Sequence, residues 1–458
     1  MRDVLLAFVI FGSLPFIVRR PFVGVLVASW LGYMNPHRLA YGFAYDFPWV
    51  MIVEGTTLAA FAFSREPKKV PLNTTTALWI FFVLWMSVTT LFALHPQPAQ
   101  AEWSQTMKTQ VLAVISLMML TSRERITYLV WIIALSLGFY GVKGGLFSLL
   151  TGGQYRVWGP PASFIYGNNE IALALVTVLP LIRFLHLEVQ DKRVKLGLLG
   201  AIGLCALAAL TSFSRGALLA SAAMAAMLWF KSGRNKLGSL IIIGLLGATF
   251  LSFMPAEWWE RMGTIGSYQE DASAMGRINA WSFAINLASD RLMGGGYQAF
   301  APDLFLRYGP DPLDWHDAHS IYFQVLGEHG WPGLLLFLGL GASVMLGARR
   351  IEVRTRNVPE LRWMHSLAAM LQVCLVGFAV GGAFLTLAYF DLLYHLIAIV
   401  LALGALSTQQ LAALPKPAAT ESVPAKRGVG PPPPDASSPQ PVAAEGRRRR
   451  YRFRGGAV

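Results

Sequence analysis

Charged residues are scarce in this chain. Asp, Glu, Lys and Arg make up only 14% of its 458 residues, where a soluble globular protein carries about a quarter. That deficit excludes a water-facing surface of this size. Cysteine is scarcer still. Cys205 and Cys374 both lie inside apolar runs, so they read as small buried hydrophobes and no disulfide framework is implied. There is no phosphate-binding glycine-rich loop, no H-E-x-x-H and no G-x-S-x-G. Those absences argue against a nucleotide-driven pump and a membrane protease. The grouped carboxylates of Mg²⁺-dependent glycosyl or phosphoryl transfer are missing as well. Asp311, Asp314 and Asp317 are spaced by three in a proline-containing loop, which reads as a solvated acidic loop in preference to a metal site. The N-terminus lacks a signal-peptide layout, so it is expected to stay as a first membrane segment.

What is abundant is apolar sequence. The chain is 55% hydrophobic with a mean hydropathy of +0.49, and apolar runs of membrane-spanning length recur from residue 4 to residue 409. The runs cover 4–18, 22–35, 47–63, 73–94, 107–121, 126–149, 169–186, 195–212, 216–230, 238–254, 321–348, 363–385 and 388–409. The first two are short, and form either two thin spans or one re-entrant hairpin turning at Arg19-Arg20. The expectation is an all-α polytopic membrane protein of about twelve transmembrane helices.

Charge sorts the gaps between runs. Basic clusters fall at Arg19-Arg20, Arg65/Lys68/Lys69, Arg123/Arg125, Lys192/Arg193/Lys195, Lys231/Arg234/Lys236 and Arg349/Arg350/Arg354/Arg356. Alternate gaps lack them, so the six basic gaps are expected inside. The long outward gap, 255–320, carries nine acids against four arginines (Arg261, Arg277, Arg291 and Arg307). Within it Ile278, Trp281 and Ile285 mark a helix with one apolar stripe. This segment is expected to form short interfacial helices and act as a lid over a membrane domain spanning 1–413. Residues 414–458 are rich in proline and end in Arg447 to Arg450. They read as a disordered cytoplasmic tail whose arginines either touch anionic lipid or simply set topology.

A few residues break the sorting rule. Arg156, Arg215, Arg277 and Lys143 sit at or near outward ends of runs. Arg215 lies in a turn of a few residues, Ser214-Arg215-Gly216. A charge there is a functional hypothesis by default, with snorkelling to headgroups as the plainer reading. Several arginines facing one side suggest an anion clamp, since the guanidinium fork matches phosphate oxygens. His319 stands where the long loop enters a run, placed to accept a proton from a hydroxyl. Glu328 falls on the opposite face of a regular helix from His319. It reaches the same site only if the helix breaks near Gly327; otherwise it binds backbone at a kink around Gly330 and Pro332. Asn168-Asn169-Glu170 opens another run. Inside the membrane, Glu54 and the Asp391/Tyr394/His395 group stand out. An ion-coupled transporter would use such groups, and structural pairing of Asp391 with His395 is the preferred reading.

Taken in order, these pieces resemble the O-antigen ligase family, within the superfamily that also holds O-antigen polymerases and O-oligosaccharyltransferases. The matching pieces are Ser214-Arg215-Gly216, Gly276-Arg277 with Trp281, and the stretch from His319 through Tyr322, Gln324 and Glu328 to Gly330. Trp158-Gly159-Pro160 to Asn169-Glu170 looks similar too. Met34-Asn35-Pro36-His37-Arg38 looks like the subgroup found near exosortase systems. The resemblance covers about residues 1–410. It implies a fold similar to type C membrane glycosyltransferases and an inverting, metal-independent transfer needing no cofactor. The donor it implies is a glycan on undecaprenyl pyrophosphate, the acceptor a sugar hydroxyl of lipid A–core, and the place the periplasmic face of the bacterial inner membrane. Arg215, Arg277 and His319 are then the catalytic candidates. Arg156, Lys143, Glu328 and Asn169 are the substrate-binding candidates. Membrane lipids are expected partners and nucleic acid is not. Transfer to protein Ser/Thr, polymerisation and, from a different class, transport remain as alternatives.

Overall fold

The computed structural model describes residues 1–233, 235–263 and 272–414. The Arg234 of one basic cluster, Glu270 and Asp271 of the acidic loop, and the tail with its prolines and terminal arginines lie outside the described residues. Residues 1–412 form one compact unit.

Apolar runs become helices because a bilayer leaves no water to satisfy backbone polar groups, and a helix satisfies them internally. The chain forms α1 (Arg2–Arg19), α2 (Pro21–Met34), α3 (Trp49–Phe63), α4 (Thr74–Leu91), α5 (Pro96–Met119), α6 (Arg123–Leu150), α7 (Asn168–Glu188), α8 (Lys192–Leu210), α9 (Arg215–Lys231) and α10 (Lys236–Ser252). Then follow α11 (Ala256–Gly263), α12 (Ala272–Asp290), α13 (Pro302–Tyr308), α14 (Ile321–Thr355), α15 (Arg362–Gly382) and α16 (Asp391–Ala413). Among the described residues there is no strand.

Among the described residues, seven helices (α4, α6, α7, α8, α14, α16 and α15 with the turn before it) are long and apolar enough to cross a membrane. An eighth arises if α10 and α11, bent by 114° at their junction, count as one span. The expected dozen therefore includes helices that fall short of those measures. α2 and α3 are shorter apolar helices. α1 holds Arg2, Asp3 and Arg19 within its 18 residues, and the first half of α5 is polar. Residues 1–34 form two separate helices broken at Arg20. Asp3 at the start of α1 accepts from the amides of Gly42 (3.0 Å) and Ala44 (3.1 Å).

Burial follows composition. α7 and α16 are apolar all round and bury residues on every side, from Ile171 to Leu185 and from Leu392 to Leu403. Such helices belong in the middle of a bundle. α10 has no buried residue, and Leu240, Ile241, Ile242, Leu245 and Leu246 face outward, as suits contact with lipid.

The basic gaps meet at one end of the bundle. Arg125 holds Glu66 through a two-pronged contact, both bonds 2.7 Å, and its guanidinium lies 5.1 Å from the Phe22 ring. Arg123 pairs with Glu188 and lies over Trp363. Lys231 pairs with Glu352 at 2.7 Å. These contacts tie the connections after α3, α5, α7, α9 and α14 into one basic face. The opposite face carries the loops 92–95, 151–167, 211–214 and 383–390 and the long segment between α10 and α14.

That long segment differs from a simple surface lid. α12 packs against α14 with the buried Ala284 and Ala288, and against α13 with the buried Ala280, Phe283 and Leu287. The expected stripe is split: Trp281 stacks on Phe323 of α14, while Ile278 and Ile285 are exposed. The periodicity was real for both faces, but the alanines allow the closer helix approach and so take the inner side.

Candidate functional site

The turn between α8 and α9 is built to hold Arg215. Thr211, Ser212 and Ser214 are buried. Thr211 shares a 2.6 Å bond with Ser148, the Ser212 carbonyl accepts from Asn168 Nδ2 at 2.8 Å, and Ser214 Oγ caps α9 by accepting from the Ala217 amide. Phe213 takes a left-handed φ of 61° to close the turn. Arg215 is thereby fixed at the first position of α9. Helix dipoles disfavour a cation at that end, and a helix start beside a guanidinium favours an anion.

A small polar pocket forms there, lined by Asn169, Ser214, Arg215, Arg261, Arg277 and the Phe384-Leu385 pair. Arg277 arrives from α12. Arg261 arrives from α11, where its Nε donates to the Phe213 carbonyl at 3.0 Å and Trp258 Nε1 donates to the Leu210 carbonyl at 3.0 Å. Arg261 is the residue that sequence reading missed. It was counted among the arginines of the long segment, and no motif distinguished it.

A second, larger cavity of about 430 Å³ lies beside this pocket. Its wall includes His319, Glu328, Glu102, Glu170, Asp317, Gln298 and Gln324. His319 stands just before α14 with a left-handed φ of 41°. Its amide donates to Thr386 Oγ1 at 2.9 Å, and the preceding Ala318 carbonyl accepts from Trp281 Nε1 at 2.8 Å. Asn279 of α12 brackets the loop, donating to the Asp311 and Asp314 carbonyls and accepting from the Asp311 amide. The helix that carries Arg277 thus also places His319. Burial pushes the imidazole below its ordinary pKa, the Arg277 charge adds to this, and Asp317 opposes it. The ring is therefore neutral at pH 7 and able to accept a proton.

Glu328 lines the same cavity as His319. His319 precedes the helix, so helical spacing does not govern the pair. Tyr389 donates to Glu328 Oε2 at 2.5 Å and the Gln298 amide to Oε1 at 3.2 Å. The break in α14 falls at Gly330 (φ 67°, ψ −172°). The carbonyls of Gly327 and Glu328 accept instead from the amides of Gly295 and Gly296, both at 2.8 Å.

The remaining expected residues divide. Asn169 lines the arginine pocket. Arg156 is exposed and outside both cavities, with its guanidinium 5.8 Å from the Phe213 ring. Lys143 is exposed on α6 and lines neither. Asp391 and His395 do not bond each other as expected. Asp391 accepts from Thr109 at 2.8 Å, and His395 bonds Tyr33 at 2.6 Å and Ser116 at 3.3 Å. Neighbouring helices supply closer partners than one turn of α16. Glu54 lines a separate cavity with Lys108 and Trp103. The acidic loop is held by its backbone, and no group of three or more His, Cys, Asp or Glu among the described residues is arranged to hold a metal ion.

Fold and site define a polytopic helical membrane protein with an arginine-lined pocket and a histidine-bearing cavity at its loop face. Residues 200–338, which carry Arg215, Arg261, Arg277, His319 and Glu328, match the family model described as O-antigen ligase. Over this segment the chain is similar to the O-antigen ligase family. Residues 1–189 match the model of a family of unknown function. No curated protein matches the chain.

Proposed function

We propose that the protein is an O-antigen ligase: it moves a glycan from undecaprenyl pyrophosphate to a sugar hydroxyl of lipid A–core, with inversion and without metal or cofactor. The observation that carries this reading is the convergence of Arg215, Arg261 and Arg277 on one pocket beside the cavity that holds a neutral His319.

The chemistry follows from those positions. The acceptor oxygen forms a bond to the anomeric carbon while the bond from that carbon to the pyrophosphate oxygen breaks. The electron pair leaves with the lipid pyrophosphate, whose developing charge the Arg215 and Arg277 guanidiniums stabilise. The acceptor proton passes to His319. The pyrophosphate leaving group already supplies activation. The single face shared by the basic gaps supports placing that face in the cytoplasm with the C-terminus, and the site at the periplasmic face of the inner membrane. The 255–320 segment then covers the sugars as a lid, and lipid chains enter between helices of the 1–413 membrane domain.

Arg261 is assigned to the donor. Arg261→Gln removes a charge-assisted contact to the pyrophosphate, so the donor KM is expected to rise about tenfold or more with little change in kcat. An unchanged donor KM assigns Arg261 to the turn alone. The reading as a whole is tested by giving the purified full chain a lipid-linked glycan in EDTA with either lipid A–core or an acceptor protein. Mass spectrometry should find the glycan on lipid A–core. Glycan on protein Ser/Thr makes the enzyme an O-oligosaccharyltransferase, elongated lipid-linked glycan makes it a polymerase, and no transfer in EDTA that returns with Mg²⁺ refutes metal independence.

A further inference from the structure

The two adjoining pockets differ in the ionisable side chains that line them. The smaller is lined by three arginines. The larger is lined by four carboxyl groups, Glu102, Glu170, Asp317 and Glu328, and among its described lining residues there is no lysine or arginine. The carboxyl groups do not converge on a point, since no described group of them is arranged to hold a metal. They are distributed around a half-open cavity of about 430 Å³, the size of a small-molecule site. Gln298, Gln324 and the rings of Tyr166, Phe300 and Tyr389 share that wall.

This lining has a specific complement. Carboxylate and amide oxygens accept hydrogen bonds, and aromatic rings cover apolar faces. A sugar ring offers both, with hydroxyl donors at its rim and C–H groups on its face. Glu328 is held by Tyr389 and Gln298, and Gln324 accepts from the Ala388 amide at 3.0 Å. Arg277 acts electrostatically on Glu170. Glu102 and Asp317 have no comparable cation beside them on the cavity wall. An anion brought beside an ionised Asp317 or Glu102 meets like charge, and such juxtaposition is unfavourable.

We infer that the larger cavity takes the acceptor sugar and selects it by charge: neutral and amino sugars are admitted, while uronic acids and phosphorylated sugars are rejected. This rests on the glycosyl-transfer reading above. The arginine pocket receives the anionic leaving group, so each substrate is steered to the cavity of opposite or compatible charge.

The test uses the full chain in nanodiscs and three soluble probes, methyl glucoside, methyl glucosaminide and methyl glucuronide, with binding read by saturation-transfer NMR. The glucuronide is expected to need about tenfold higher concentration than the other two. The gap should narrow in Glu102→Gln and Asp317→Asn, each made singly. Equal binding of glucuronide and glucoside overturns the selection, as does a failure of the glucoside to bind. A gap unchanged in both folded variants also overturns it, and the wild-type comparison stands if a variant does not fold. Transfer to a neutral acceptor is measured in parallel. Selective sugar binding without any transfer defeats the glycosyl-transfer reading and leaves the charge selection intact.

Discussion

Changing His319 to alanine is expected to lower glycan transfer by about 10²–10⁴-fold, the usual contribution of a positioned proton acceptor. The protein should still fold and insert. His319 contributes its amide, not its ring, to the bond with Thr386, so alanine keeps that link. Arg215→Ala is expected to lower transfer by about 10²–10³-fold through lost stabilisation of the leaving group. The double variant should fall well short of the product of the two losses, because residues acting on one transition state are not additive. Transfer at the normal rate by either single variant would remove these residues from the mechanism. The rate also carries a pH signature. The neutral imidazole is the active form, and burial with the Arg277 charge holds its pKa below the ordinary value of 6.5. Neutral ring therefore persists as pH falls from 8 towards 6.5, and the rate should stay level there and drop only at lower pH. A rate already falling through pH 7 would contradict this assignment.

Replacing Gly330 with alanine is expected to destabilise the protein by about 2–6 kcal/mol. Gly330 sits at φ 67° and ψ −172°, a region open essentially to glycine alone that costs about 1–3 kcal/mol for other residues. A Cβ there also meets the Leu292 carbonyl oxygen and comes within 2.9 Å of the Gly294 amide nitrogen. Those atoms belong to the glycine loop whose Gly295 and Gly296 amides bond the Gly327 and Glu328 carbonyls. Relief of the clash pushes that loop away and leaves buried carbonyls unpaired, a further cost of about 1–3 kcal/mol. The expected result is a low yield of monodisperse protein and a clearly lower Tm in detergent. A wild-type Tm would show that the break in α14 is not required.

Much of the site was readable because bilayer constraints act locally. Arg215 stood out as a charge in a turn between two apolar runs, and it does line an arginine pocket. Arg277 and His319 were readable from the same long loop, although only the fold shows that Asn279 and Trp281 bind them into one construction. Glu328 was ambiguous because helical phase assumes one continuous helix. It shares a cavity with His319 because His319 lies outside that helix. Lys143 was misleading. Its position along the chain resembled that of the arginines, but the rotation of α6 leaves it exposed away from both cavities. Arg261, Glu102 and Gln298 gave no signal of their own, since Arg261 is placed by α11 against the turn before α9 and Glu102 meets Gln298 only where α5 meets the segment before α13. The apolar stripe of α12 is split for a related reason. Periodicity marks two candidate faces, and packing against α14 decides between them.

The central claim is that the arginine pocket receives a lipid pyrophosphate as it leaves an intact glycan. The direct measurement is the stoichiometry of products from the purified full chain, with lipid phosphates followed by ³¹P NMR and the acceptor by mass spectrometry. The account predicts one lipid pyrophosphate released for each whole glycan transferred, and no release in Arg277→Ala. Release of lipid monophosphate, or glycan transfer that continues in Arg277→Ala, would contradict it.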